Sequence, residues 1–214
     1  MRKKIQKVLA LGMTLTALMS NVVYGYNGQE AANYAFTHYK NTESGDYYYF
    51  NGANCTNFVS QCVNFGGIPM KDTGNPSGFY LKGIKDAVLD TDDEINYYWY
   101  MKKVSTLTGK VYWYTRSWAC VKEFREYQGI RNGKVVQYSQ TDDSKRALCS
   151  QLKVGDVLQC GNKHSVIITA LNDKTEKTIR YCGQTYSSHK TLDQFFKYAE
   201  ENTPGQKLYR ITYK

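Results

Sequence analysis

The stretch that decides the fold is residues 51–70, NGANCTNFVSQCVNFGGIPM. Phe58, Val59, Cys62 and Val63 recur at helical spacing and predict a helix that begins near Cys55. Gly66-Gly67 and Pro69 stop it. Asn54, just before, is a residue type that caps helix starts well. With Asn54 as the cap, the unpaired amides and the dipole of the first turn point at Cys55 and favour its thiolate, the reactive form. The same amides can donate to an oxyanion beside the sulfur. Cys55 also lies three and four positions before Phe58 and Val59. Periodicity alone therefore supports a small buried apolar residue equally well.

Upstream, residues 1–25 read as a secretory signal peptide. Arg2, Lys3, Lys4 and Lys7 form a basic start, an apolar run follows from Val8 to Val23, and Val23-Tyr24-Gly25 offers small residues at the cleavage positions. The run is short for a membrane span, which takes about 20 residues. Residues 26–214 are then expected to form one secreted domain, extracellular or wall-associated, with membrane contact only through the signal before cleavage. Without the four basic residues the net charge falls from +9 to +5. That surplus suits work near an anionic polymer or surface such as a cell wall. No dense Lys/Arg run or nucleic-acid motif occurs, which argues against a nucleic-acid partner. A monomer is expected.

Six cysteines in a secreted chain invite a disulfide framework. A working thiol at Cys55 leaves five, Cys62, Cys120, Cys149, Cys160 and Cys182, whose pairing the spacing does not give. Cys62, Cys120 and Cys160 lie in apolar or helix-like settings where buried free thiols are ordinary. No CxxC pair is present and no carboxylates are spaced with the histidines, so no metal or other cofactor is expected.

The rest of the chain predicts an α+β domain. Asn27 with Glu30 marks a first helix, with Ala31, Ala32, Ala35, Phe36 and Tyr39 on its apolar side. Residues 71–116 read as an irregular surface excursion. Its Trp99 and Trp113 are candidates for one wall of a substrate cleft, whereas Trp118 has core spacing. SWACVKEFREYQG, residues 117–129, reads as a helix with Trp118, Val121, Phe124 and Tyr127 inward and Gly129 as its stop. KVGDVLQC, HSVIITAL, TIRYCG and KLYRITY are strand-like runs. One helix interrupts them, with Thr191 and Gln194 as a capping box and Leu192, Phe195, Phe196 and Ala199 inward. Helices followed by an antiparallel meander make an α+β arrangement. The 20 tyrosines cluster at Tyr47-Tyr48-Tyr49 and Tyr97-Tyr98, which suits packing near the surface or a groove for sugar or peptide.

A nucleophilic thiol needs a base, and the chain has three histidines, His38, His164 and His189. His38 falls among polar neighbours in the first helix. His164 opens the strand HSVIITAL, where a polar ring projects from the sheet end and can meet the end of a helix.

NCTNFVSQCVNFGGIPM, SWACVKEFREY, LKVGDVLQ with HSVIIT, and YCGQT together resemble the amidase domain of bacterial secreted proteins, a relative of the NlpC/P60 and CHAP cysteine peptidases and amidases. The resemblance spans nearly all of residues 26–214. It implies a papain-like fold with a helical N-terminal part on an antiparallel sheet, Cys55 as nucleophile and His164 as base. The third polar residue falls at Gln184, where the family commonly has histidine, with His189 as the alternative. The family commonly has aspartate where this chain has Asn54, and Thr56 and Asn57 complete the helix start. The activity implied is amide hydrolysis through a thioester on Cys55, with peptidoglycan or a peptide as substrate. Acyl transfer by the same chemistry and non-catalytic wall binding are the alternatives.

Overall fold

The computed structural model describes residues 25–71, 86–89, 97–106, 109–185 and 188–214. The expected signal peptide lies, apart from Gly25, outside the described residues. A six-stranded antiparallel sheet, ordered β4-β9-β5-β6-β7-β8, forms the centre. Its strands are β4 (Gly133–Tyr138), β5 (Val157–Cys160), β6 (His164–Leu171), β7 (Ile179–Gly183), β8 (Ser188–Thr191) and β9 (Leu208–Tyr213). Along β6, Val166 and Ile168 belong to one apolar cluster and Ile167 to another. The side-chain period of two thus sends neighbours to opposite faces, and both faces are covered. This is why HSVIITAL reads as a nearly continuous apolar run. α1 (Gly28–His38), α2 (Cys55–Phe65) and α4 (Val121–Arg131) contribute to the first cluster, α5 (Asp142–Gln151) and α6 (Leu192–Asn202) to the second. Phe58, Trp118, Phe124 and Phe195 are almost fully buried there, each contributing about 1.5–3 kcal/mol of transfer free energy.

Asn27 caps α1, its side chain accepting from the Gln29 and Glu30 amides. Ala31, Ala32 and Ala35 form the buried stripe, but Phe36 is 56% exposed and is not part of it. The small alanine stripe lets α1 approach closely. At its start, a Cβ on Gly28 would stand 2.1 Å from the Val154 carbonyl oxygen, and Gly155 holds φ +85 against Gly28. Tyr26 ties the same turn by donating to the Gly155 carbonyl at 2.7 Å.

Residues 71–116 are not simply irregular. They carry β1 (Asp86–Leu89), β2 (Met101–Thr106) and β3 (Gly109–Thr115), a small sheet in which β3 pairs antiparallel with β2 and parallel with β1. The expected single helix over 117–129 is two pieces, α3 (Arg116–Ala119) and α4, broken at an extended Cys120. Gly129 does not stop α4. It lies inside the helix because β4 crosses there, and a Cβ would stand 2.7 Å from Val135 Cγ2. α6 has the capping box of Thr191 and Gln194. α5, β4 and β8 carry no strong apolar period, and the sequence reading did not find them.

Candidate active site

α2 is buried all round from Cys55 to Val63, and its N-terminus meets the start of β6. Cys55 and His164 are each 7% exposed. The His164 side chain stands close enough to the Cys55 thiol to act on it by hydrogen bonding and by charge. Burial pushes the thiol up. The hydrogen bond and charge of His164, the Ser165 backbone N–H and the Thr56 hydroxyl outweigh it and lower Cys55 to about 7. The His164 ring also tilts against Tyr198 of α6, centroids 5.1 Å apart. It therefore stands at the sheet end between helices of both layers. β7 closes its other side, since a Cβ on Gly183 would be 3.7 Å from His164 Nε2.

Asn54 precedes the helix but does not cap it with its side chain. Its Oδ1 accepts from the Phe50 amide and from Asn57 Nδ2, and its Nδ2 donates to Gln184 Oε1. The Asn57 Oδ1 accepts from the Trp118 indole at 2.7 Å. Gln184 Nε2 donates to the carbonyls of His38 and Asn41. A neutral chain of amides thus runs behind the thiol and ties Asn54, Asn57 and Gln184 together. It leaves the first-turn N–H groups of α2 without a side-chain cap, on the side where an oxyanion beside the sulfur would form.

Gln184 therefore turns towards Asn54, and no hydrogen bond joins it to His164 among the described residues. His189 is also elsewhere. Its ring packs edge-on against Phe36 at 5.2 Å and near Tyr39 at 5.9 Å. The proposed cleft wall is core. Trp99 is 0% exposed, tilts against Trp118 and donates to Ser60 Oγ, and Trp113 is 7% exposed. Trp99 packs on rings of α3 and α4 and Trp113 lies within β3, and both are buried, so neither offers a face to substrate.

A second buried polar chain supports the thiol from below. Thr56 Oγ1 and Ser165 Oγ are 3.1 Å apart, Gln159 Nε2 donates to Ser165 Oγ at 3.0 Å, and Arg125 donates to Gln159 Oε1 at 2.9 Å. Sequence reasoning missed Ser165, Gln159 and Tyr198. Gln159 had a signal: it is a polar residue inside the apolar run VLQC, and every position of that strand is buried.

All six cysteines are thiols. Burial drives Cys149 to about 11 and Cys160 and Cys182 to about 12, and pushes Cys62 well up. Among these, Cys55 alone moves down. No group of three or more potential His, Cys, Asp and Glu ligands gathers among the described residues.

The family model described as "Putative amidase domain" matches residues 25–210. The chain belongs to this amidase-domain family. Its name points to hydrolysis of amide bonds, and the match includes both the α2 start and the His164 strand. No curated protein matches the chain, and no solved structure matches it.

Proposed function

We propose that the chain is a secreted cysteine hydrolase of papain-like arrangement, related to the NlpC/P60 and CHAP enzymes, that cleaves an amide bond in peptidoglycan. The bond lies in the wall peptide or in its link to the glycan. The observation that carries this reading is the Cys55 thiol, buried at the start of α2 beside the start of β6, where His164 draws it down to about 7. Membership of the amidase-domain family and the basic net charge support it.

In this mechanism the Cys55 thiolate attacks the amide carbonyl, and the oxyanion is met by the uncapped first-turn amides of α2. His164, having taken the thiol proton, gives it to the leaving amine as the C–N bond breaks. Water then attacks the thioester, with His164 as base, and releases the acid and the free thiol. Gln184 and Asn54 act as positioning residues that hold the helix start. Ser165 and Thr56 hold the thiolate.

The test is digestion of peptidoglycan of several chemotypes, with mass spectrometry of the released fragments and of the protein. The expected result is one new carboxyl and one new amine at a single kind of amide, an acyl adduct on Cys55 after rapid quenching, and neither with Cys55→Ala. Intact wall material together with an unmodified Cys55 would refute the reading.

A further inference from the structure

Four polar side chains cross the apolar interior behind the thiol in single file: Thr56 on α2, Ser165 on β6, Gln159 on β5 and Arg125 on α4. Thr56, Ser165 and Gln159 are 0% exposed. Gln159 and Ser165 are register partners on neighbouring strands, two places along from Val157 and Ile167, so they share the sheet face that α2 covers. Packing alone does not call for them. Burying a hydroxyl or an amide is costly unless its hydrogens find acceptors. That condition fixes the direction of each bond.

The direction starts at Arg125, which can only donate. Its Nη1 donates to Gln159 Oε1 at 2.9 Å. The two hydrogens of Gln159 Nε2 then go to the Val121 carbonyl and to Ser165 Oγ, each at 3.0 Å. Ser165 has one hydrogen of its own, and the acceptor left for it among the described residues is Thr56 Oγ1 at 3.1 Å. The Thr56 hydrogen is left for Cys55 Sγ at 3.8 Å. The reverse order, with the thiol donating to Thr56 and Thr56 to Ser165, would bring two donors to Ser165 and strand the Ser165 hydrogen in a buried place. The sulfur end of the chain is therefore an acceptor position, which a thiolate fills best.

Arg125 makes no ion pair among the described residues. Its guanidinium lies over the Tyr209 ring of β9, 3.8 Å from the ring centre, and donates to the Gly161 carbonyl at 3.0 Å and to Asn162 Oδ1 at 2.7 Å. Those acceptors are neutral. Glu123 and Glu126, the acids near it on α4, are taken by Arg116 and Lys122. At the other end, His164 is the charged side chain that acts on the sulfur directly. α2 carries no charged residue, Cys160 of β5, at about 12, stays neutral near pH 7, and Tyr198 of α6 stands against the His164 ring. Hydrogen bonds in series in a low-dielectric interior polarise one another, by about 10–30% per bond. A guanidinium at the head of this series and a thiolate at its tail polarise it in the same sense.

We propose that Arg125 is a positioning residue for the Cys55 thiolate, acting on it through Gln159, Ser165 and Thr56. The inference rests on the reading of Cys55 as the reacting thiolate and adds a charge that holds it from a second side. His164 and Ser165 are neighbours on β6 and project to opposite faces, so the base and the chain approach the sulfur from different layers. His164 takes the thiol proton, and the chain steadies the anion that remains. Arg125 also clamps residues 161 and 162, in the turn that leads to His164. A clamp would act through His164, whereas the chain acts through Gln159, and that difference can be measured.

The readout is the midpoint of Cys55 alkylation against pH in the full chain, by iodoacetamide and peptide mapping. It needs no substrate, so shifts of the expected kind beside undigested wall material would uphold the chain and refute the hydrolase reading. Thr56→Val removes the last donor and should raise the midpoint by about one unit, tenfold in thiolate. Thr56→Ser should restore it. Arg125→Met and Gln159→Leu should each raise it by about 0.4 unit, about 2.5-fold in thiolate, and Arg125→Lys should restore most of the Arg125→Met loss. The two substitutions together should raise it no further than Gln159→Leu alone. A clamp on the turn, or a charge felt through space, would still act without the Gln159 amide, and the shifts would then add to about 0.8 unit. Where circular dichroism shows Gln159→Leu unfolded, Ser165→Ala, which keeps the backbone N–H on the sulfur, takes its place in the pair. An unchanged midpoint in Arg125→Met, an unchanged midpoint in Thr56→Val, or shifts that add would overturn the proposal.

Discussion

Replacing His164 by alanine removes the two largest influences that lower Cys55 and leaves its burial in place. A Cys55 thiol at about 7 would be about half ionised at pH 7. Returning the thiol to 9 would cut the thiolate at pH 7 by about fiftyfold, while nucleophilicity would rise about eightfold at a Brønsted slope near 0.45. The net effect is about sixfold slower alkylation at pH 7, and more if burial drives the thiol past 9. The midpoint is the sharper readout. Limiting iodoacetamide at a series of pH values, followed by peptide mapping, should show Cys55 labelling rise through a midpoint near 7 in the native protein and above 9 in His164→Ala. Hydrolysis by the native protein should rise through the same midpoint, because the thiolate is the form present above it. Cys149 supplies an internal reference. At about 11 it is only about one part in ten thousand ionised at pH 7, so Cys55 should react about a hundredfold faster after the slope is applied. A Cys55 midpoint at or above 8.5 in the native protein, or one that does not move without His164, would refute the pairing. Circular dichroism of the variant checks that the fold is retained.

Asn54→Asp should weaken the fold by about 1–3 kcal/mol in urea unfolding, because a second acceptor then faces Gln184 Oε1 in a site that is 1% exposed. Trp118→Phe keeps the ring but leaves Asn57 Oδ1 without its donor, and should cost about 1–3 kcal/mol and slow Cys55 alkylation through a loosened helix start. Gly129→Ala would gain about 1 kcal/mol from helix propensity alone, but the Cβ meets Val135 at 2.7 Å, so net destabilisation in thermal unfolding is expected. Arg210→Met leaves the buried Asp156 carboxylate without its 2.6 Å partner and should cost about 3–5 kcal/mol, with much of the loss recovered by adding Asp156→Asn.

What was legible in the sequence was whatever a local period or a cap writes directly. α2 starts at Cys55 and β6 at His164, where the apolar pattern begins in each case. The capping box at Thr191 is present because both of its side chains act within four residues. What failed depends on distant partners. Trp99 looked like part of a cleft wall because it lies in a stretch that reads as irregular, yet it packs on Trp118 from nineteen positions away. Phe36 has helical spacing with Ala32 but faces His189 from β8 instead of the core. Gly129 looked like a stop because the β4 backbone that needs its missing Cβ comes later in the chain. Asn54 looked like a cap, and its side chain is drawn away by Gln184, 130 residues distant.

That last contact has a direction that can be worked out from its ends. The Trp118 indole can only donate, so Asn57 must present its oxygen to it, and its nitrogen is left to donate to Asn54 Oδ1. Asn54 then has only its nitrogen for Gln184, and Gln184 must answer with its oxygen. The remaining Gln184 nitrogen meets the carbonyls of His38 and Asn41, which can only accept. Every amide is fixed and no member carries charge. Asn54 and Gln184, where the sequence resemblance leads us to expect aspartate and histidine, are two residues that touch. An aspartate at 54 would need a donor at 184, and a glutamine turned to supply one would present its oxygen to two carbonyls. Asn54 and Gln184 therefore fit each other as a pair. The pair they form is neutral, one residue from the thiol. A neutral neighbour leaves His164 as the charged group acting on Cys55, which is consistent with a thiol lowered to about 7 in spite of its burial.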